Sequence, residues 1–251
     1  MKLGKAALTS FLTGFGPGVG DLRLKAGQMS LSGTVALPTH MLHNRVSANV
    51  EDSGEIVIAD LPKVLAFTKT LPKDALVTLW QPKNIPLRLI SGKTTLTLPT
   101  TDYVRSHKSV KKAMALVSEA ESNHWKSWAG RALTCYGKVK VQDLFQVKSI
   151  ERVVGKDAPI DAEFDTEDSL WTLKVGHKGG AEMSIGIDIE DCDGPSESCT
   201  TSFGSWLPEA LQTIPSGTAE LYTAHDFVAI FRHTEKDHLL LVMDLTGKRS
   251  E

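Results

Sequence analysis

No apolar run in this chain approaches the length needed to cross a bilayer. The first residues make no export leader either, because Gly4, Lys5, Thr9 and Ser10 interrupt any apolar stretch there. No membrane partner is expected. Cysteine is scarce: Cys135, Cys192 and Cys199 are the only ones. Without an export signal they read as reduced thiols in a cytosol-like compartment. Charge of neither sign dominates. Lys and Arg total 28 against 30 Asp and Glu, a net of -2. That excludes a globally basic nucleic-acid coat and leaves room for a basic surface on an acidic body.

Motifs that carry chemistry are missing as well. Gly14–Gly20 is glycine-rich but lacks the Gly-Lys-Ser/Thr ending of a phosphate loop, and a helix precedes it instead of following. It reads as a turn. His40 and His43 have no further ligand set spaced near them. Cys192 and Cys199 form no CxxC pair, and Asp188, Glu190, Asp191 and Asp193 lack the spacing of a calcium loop. No Ser-His-Asp or Cys-His arrangement stands out. No catalytic residue, metal or cofactor is expected.

What is present is ordinary globular composition, 41% hydrophobic and 23% charged over 251 residues, enough for two domains with their own cores. Leu8, Phe11, Leu12 and Phe15 follow helical spacing and stop at Gly14-Phe15-Gly16-Pro17-Gly18. Residues 21–50 read as short strands, and Glu55–Ile58 as another. Asp60 then caps a second helix with Pro62 in its first turn and Leu61, Val64, Leu65, Thr68 and Leu71 as its buried stripe. Strands follow at Leu76–Trp80, Leu87–Ile90 and Thr94–Leu98, the last two joined by a turn at Ser91-Gly92-Lys93.

The second half repeats that order. Arg131–Val139 reads as a strand and Val141–Val154 as a helix. Strands are predicted at Ile160–Phe164, Leu170–Val175 and Ala181–Ile189. A short helix capped by Ser205 follows, and strands at Thr218–Tyr222, Phe227–His233 and His238–Leu245 finish the chain. The phrase Leu71–Trp80 has an analogue in Ile214–Thr223: an apolar-Pro pair, a polar turn, an alternating strand. Leu8 to Leu65 is 57 residues, and Gln146 to Glu209 is 63. Few helices and many hairpins predict an α+β chain of two similar domains, 1–105 and 131–251, each with two helices packed on antiparallel sheets. Residues 106–130 read as a polar interdomain connector with a helical turn or two around Val110, Met114 and Val117; Trp125 and Trp128 read as buried anchors, the alternative being an exposed contact surface.

This order of elements resembles the DNA polymerase sliding clamp. The likeness is carried by Asp60–Asp74, by Val77-Thr78-Leu79 and by Leu89–Thr100; the last phrase is similar to the end of a domain in bacterial clamps, while length and layout are closer to archaeal, eukaryotic and phage clamps. The first strand of the first domain reads as short or missing, and the fourth helix, Ser205–Ile214, has no lysine or arginine. The resemblance implies the DNA clamp fold and a homotrimeric ring around double-stranded DNA, bound without regard to sequence. Such a ring does no covalent chemistry. It tethers a DNA polymerase, confers processivity in DNA replication and is closed by a clamp loader. It also implies a bacterial, archaeal or phage-infected host cytoplasm.

The same resemblance places helices around the hole. Pore candidates are then Lys2 and Lys5 on the first helix, Lys63 and Lys69 on the second with Lys73 past its end, and Lys148, Arg152 and Lys156 around the third, where Gln142, Gln146 and Ser149 align with Arg152. A lysine on a polar helix face is otherwise simply solvated. A partner-peptide pocket is implied at Leu239, Leu241, Met243 and Leu245 with Val104 of the connector; an alternating set of these could instead pack into the second core. A clamp-fold subunit of a heteromeric ring with a repair or transcription role, an enzyme on duplicated domains and a ligand-binding module stay open as alternatives.

Overall fold

The computed structural model describes residues 1–16, 22–82, 85–99, 103–154, 158–176 and 182–245, with backbone only at 103–107, 151 and 152. The chain divides into two compact units, one of Met1–Leu37, Leu42–Ala113 and Lys236–His238, the other of Pro38–Met41, Met114–Glu235 and Leu239–Glu251.

The first unit opens with β1 (Lys2–Gly4), which runs directly into α1 (Lys5–Thr13). This strand is present although its three residues are too few to show an alternation in the sequence; Leu3 pairs with Val50 on one side and Val77 on the other. Leu8, Phe11 and Leu12 of α1 are completely buried, each such side chain contributing about 1.5–3 kcal/mol. The helix ends at Gly14, and Gly16 takes a left-handed φ of 69° that a Cβ would strain. Then come β2 (Leu22–Ala26), β3 (Ser30–Ala36), β4 (His40–Ser47), β5 (Val50–Glu51) and β6 (Gly54–Ile58). Gly33 in β3 lets the α1 aromatics approach: a Cβ there would sit 2.6 Å from the Phe11 ring. Next is α2 (Leu61–Thr70), capped as the sequence predicts: the Asp60 carboxylate accepts from Lys63 N at 3.0 Å. It stops at extended Leu71, ahead of Pro72. The unit closes with β7 (Leu76–Trp80), β8 (Leu87–Ser91) and β9 (Thr94–Leu98). One sheet has the order β5-β1-β7-β8-β9, the other β4-β3-β2-β6.

Between the halves runs α3 (Tyr103–Ser122), far longer than the turn or two expected. Val110, Val117 and Ala120 bury one stripe of it, while Lys108, Lys111 and Lys112 keep its composition polar enough to hide the periodicity. The short pair β10 (Ser127–Trp128) and β11 (Arg131–Ala132) follows.

The second unit repeats the first: β12 (Cys135–Lys140), α4 (Val141–Leu144), a 3-10 turn at Phe145–Val147, α5 (Lys148–Val153), β13 (Ile160–Asp165), β14 (Leu170–Gly176), β15 (Glu182–Asp188), β16 (Glu190–Asp193), β17 (Cys199–Phe203), α6 (Leu207–Leu211), β18 (Thr218–Thr223), β19 (Ala229–His233) and β20 (His238–Val242). Its sheet orders are β16-β12-β18-β19-β20 and β15-β14-β13-β17. Strand for strand these match the first unit, so the duplication read in the sequence is a duplication of topology.

The ungapped match of Leu71–Trp80 to Ile214–Thr223 needs one correction. Leu76 pairs with Gly4, and Thr218 pairs with Lys140, the residues that lead directly into α1 and α4. Leu76 therefore corresponds to Thr218 and Trp80 to Tyr222, with one residue fewer in the second turn. A one-residue slip would have put every side chain on the wrong face.

Two further expectations change. The sulfurs of Cys135 and Cys199 meet as a disulfide pair in the second unit, and only Cys192 is free; their separation by 64 positions hides a partnership that folding creates. Helix α6 starts at Leu207 with Trp206 at its N-cap position and no side-chain cap, so Ser205 does not cap it.

The two sheets of the second unit meet at Trp171 of β14, 1% exposed, edge-on to Phe231 of β19 with ring centres 5.6 Å apart. Trp171→Ala is expected to destabilise the unit by about 3–5 kcal/mol, read as a lowered denaturant midpoint. In the first unit His43 is held below its usual pKa by burial, with Asp237 opposing and Arg45 assisting. The unfolded chain therefore binds this proton more readily. Stability from His43 is complete above about pH 6.5 and falls as pH drops toward the folded value. His43→Gln is expected to flatten the decline of Tm between about pH 7 and pH 5, measured by thermal melts.

Candidate nucleic-acid interface

In each unit two helical segments pack side by side, α1 with α2 and α5 with α6. Their charges differ. Helices α1 and α2 carry Lys5, Lys63 and Lys69 and no acid. Helices α4, α5 and α6 carry Lys148 and Arg152 against Asp143, Glu151 and Glu209, one net negative charge. The sequence offers cations on the first three helices and none on the fourth; once the acids are counted, the first unit's pair is the basic one.

Lys63 and Lys69 stand on the exposed side of α2, with exposed Lys73 just beyond its end. Lys63 reaches back to Asp60 at 2.7 Å, and that hydrogen bond holds the Asp60 carboxyl below the usual carboxylate range. Ala66 lies between Lys63 and Lys69, and Thr70 between Lys69 and Lys73; both are small and exposed. Lys5 is half-buried, and its ammonium group donates to the carbonyl of Leu71; it ties the start of α1 to the end of α2 and favours the negative end of that helix dipole. Lys2 lies in β1, not in α1, and pairs with Glu51 at 2.9 Å. Alternation puts it on the face opposite buried Leu3. Lys148 is exposed and donates to Gln212 at 3.0 Å. Arg152 belongs to α5, its side chain outside the described part, and Lys156 lies outside the described residues. The expected row Gln142, Gln146, Ser149 is interrupted by the 3-10 turn, and Phe145 (39%) and Val153 (57%) are exposed beside it.

The residues expected to form a partner pocket separate by burial. Leu239 and Leu241 are 5% and 2% exposed, and Leu240 and Val242, which alternate with them, are completely buried, so both faces of β20 are covered. Met243 is half-buried and Leu245 is 46% exposed. Val104 lies in the first turn of α3.

Trp125 and Trp128 are buried, as expected of anchors. Trp125 stacks on Tyr222 at 5.8 Å, Tyr222 meets Tyr136 at 5.1 Å, and the Arg232 guanidinium lies 5.9 Å over the Trp125 ring. Glu220 accepts from Arg232 at 2.7 Å and from the Tyr222 hydroxyl at 3.1 Å. Burial, and then the Glu220 carboxylate, push the Tyr222 phenol up, so it stays a donor. Sequence reasoning found the tryptophans and missed their partners, which come from strands about a hundred positions away and have no local signature.

No family model and no curated protein matches the chain by sequence. Solved structures do. A putative DNA polymerase III beta subunit from Eubacterium rectale superposes with a TM-score of 0.71 at 14% identity, over 98% of this chain and 65% of that one. The DNA polymerase sliding clamp of Bacillus subtilis gives 0.72 at 11%, over 100% and 64%. The fold is that of the DNA polymerase sliding clamp. A Helicobacter pylori beta clamp bound to a DNA ligase peptide is similar too, at 0.67 and 14%, over 100% and 68%. The chain thus spans just under two thirds of the first two clamps. Among the described residues no helix is long and apolar enough to cross a membrane, and no cluster of acids, histidines and cysteines could hold a metal ion.

Proposed function

We propose that this clamp-fold protein closes into a homotrimeric ring around duplex DNA and tethers a DNA polymerase, after a clamp loader has opened it. The observation that carries the reading is the coincidence of a duplicated clamp topology with an acid-free helix pair bearing Lys63 and Lys69, followed by Lys73. Exposed ammonium groups without base-reading side chains suit phosphate contacts that tolerate sliding. The ring raises the local concentration of polymerase at the primer end. It performs no covalent step, so no catalytic residue is needed. Met243 and Leu245 are the proposed anchors for a polymerase peptide; Leu239 and Leu241 support that surface from within.

Two sheet ends support closure. Among the described residues the five-stranded sheet ends at β9 and the sheet of β13, β14, β15 and β17 ends at β15, each paired on one side. Open strand edges are the natural means of joining copies head to tail. The test is native mass with electron-microscopic imaging. A particle of about three times 27.3 kDa with a central hole is expected from C3 closure. A monodisperse monomer at micromolar concentration sinks the self-closing ring.

A second reading, a subunit of a heteromeric ring with a repair or transcription role, is favoured by the acid-rich second helix pair with exposed Phe145 and Val153. It predicts a monomer alone and a ring only with partners.

A further inference from the structure

The correspondence between the two units exposes a vacancy on the first. In the second unit, the sheet face that carries Glu220 and Tyr222 is covered by an indole: Trp125 lies on Tyr222 with Arg232 over it, Glu220 holds that arginine, and Trp125 is left only 4% exposed. By strand register Trp80 occupies the position of Tyr222 and Thr78 that of Glu220.

On the first unit the same face carries Leu76, Thr78 and Trp80 of β7 with Arg88 and Ile90 of β8. Alternation sends Val77, Leu79, Leu87 and Leu89 inward, each 1% exposed or less. Leu76 is 53% exposed and Trp80 45%. Arg88, directly opposite Trp80 in the register, places its guanidinium 5.5 Å over the indole. An aromatic platform and an arginine are therefore both in place. Two things present in the second unit are missing: the carboxylate, because Thr78 replaces it, and the incoming aromatic ring. Among the described residues Arg88 has no carboxylate partner and no second ring stacks on Trp80. The nearby cation Lys2 is already paired with Glu51.

We infer that this face is a docking surface for a partner protein's acidic segment bearing an aromatic residue, which supplies the ring that stacks on Trp80 and the carboxylate that pairs with Arg88. An indole buried this way removes about 150–250 Å² from water, and an arginine sandwiched between ring and carboxylate gains both cation–π and charge-assisted bonds. The surface lies on the sheet face away from the helix pair, so this inference goes beyond the clamp reading and does not require ring closure.

The test uses the full chain and a short fluorescein-labelled peptide with one Trp flanked by Asp residues, titrated by anisotropy. Saturable binding with a Kd of about 10–100 μM is expected for so small a contact. Trp80→Ala, and separately replacement of the peptide Trp by Ala, should each weaken it at least about fivefold. Arg88→Glu should abolish binding of the acidic peptide and confer binding on a peptide with Lys in place of Asp. Met29→Ser, exposed in the β2–β3 turn, should change nothing. Absence of saturation, or binding indifferent to Trp80→Ala and Arg88→Glu, overturns the inference. So does a fall in native mass with Trp80→Ala, because a second copy of the chain would then be the occupant. Ring formation and DNA retention by Trp80→Ala are measured in parallel, so failure of the peptide site and failure of the clamp reading are told apart.

Discussion

Lys63→Glu, Lys69→Glu and Lys73→Glu combined are expected to shorten retention on circular DNA by at least about tenfold, with loss of polymerase stimulation at moderate salt. The charge change is large because each copy loses three cations and gains three anions on one helix edge, and closure would bring several copies around one duplex. Phosphate contacts release counterions, so their loss should also flatten the dependence of retention on salt. Folding should be unaffected: the three side chains are exposed, and among the described residues Lys63 alone has a partner, an ion pair with Asp60 of the surface kind worth little. Lys148→Glu provides the contrast. It sits on the helix pair whose charges already sum to a net negative value, and retention should stay within about twofold of the parent. Far-UV circular dichroism checks the fold, and half-life on a nicked circle before and after linearisation reads the effect. Equal losses from Lys148→Glu and from the triple reversal would mean that both pairs face DNA. No loss from the triple reversal would remove DNA from the helix layer.

How much of this was legible in the sequence depends on range. Helices α1 and α2 were readable because Leu8, Phe11 and Leu12, and Leu61 and Val64, recur at helical spacing between strong stops, and Asp60 with Pro62 marks a start. The repeat was readable because an apolar-Pro pair and an alternating strand recur. Its register was not: the missing residue in the turn before Thr218 is visible only through pairing with Lys140. Strand β1 was invisible because three residues carry no period, and α3 because its lysines dilute the stripe of Val110, Val117 and Ala120. Lys63 and Lys69 are exposed on α2, a face that capping and periodicity together orient. Lys2 and Lys5 were not readable in this way, since one belongs to a strand and the other to a carbonyl at the end of the neighbouring helix. Aromatic clusters such as Trp125, Tyr222 and Tyr136 were out of reach because their members are brought together only by the fold.

Thr97→Pro is expected to convert the proposed ring into monomers, from about three times 27.3 kDa to that value once, since closure by C3 symmetry needs every joint. The turn between β8 and β9 sets the hydrogen-bonding phase of the edge. Ser91 pairs with Thr94 around Gly92 and Lys93, and Gly92 has a positive φ of 58°. In a two-residue hairpin that closing pair exchanges both hydrogen bonds, so hydrogen-bonded and open positions alternate along the strands. Leu96 and Leu98 then bond to β8, while the N–H groups of Thr95 and Thr97 point away from it. The sheet ends there, so these donors are the ones a neighbouring copy would engage. Proline at Thr97 removes such a donor and its ring blocks the approach of another strand, yet it costs no bond to β8; edge strands tolerate it for that reason. The side chain of Thr97 is exposed, so no core contact is lost. Thermal stability of the isolated chain should therefore change little while native mass collapses. Those two readouts separate a broken joint from a broken fold. An intact ring with Thr97→Pro would show that β9 is not the joining edge. A large drop in Tm with the mass unchanged would show that the hydrogen-bonding phase deduced from the turn is inverted.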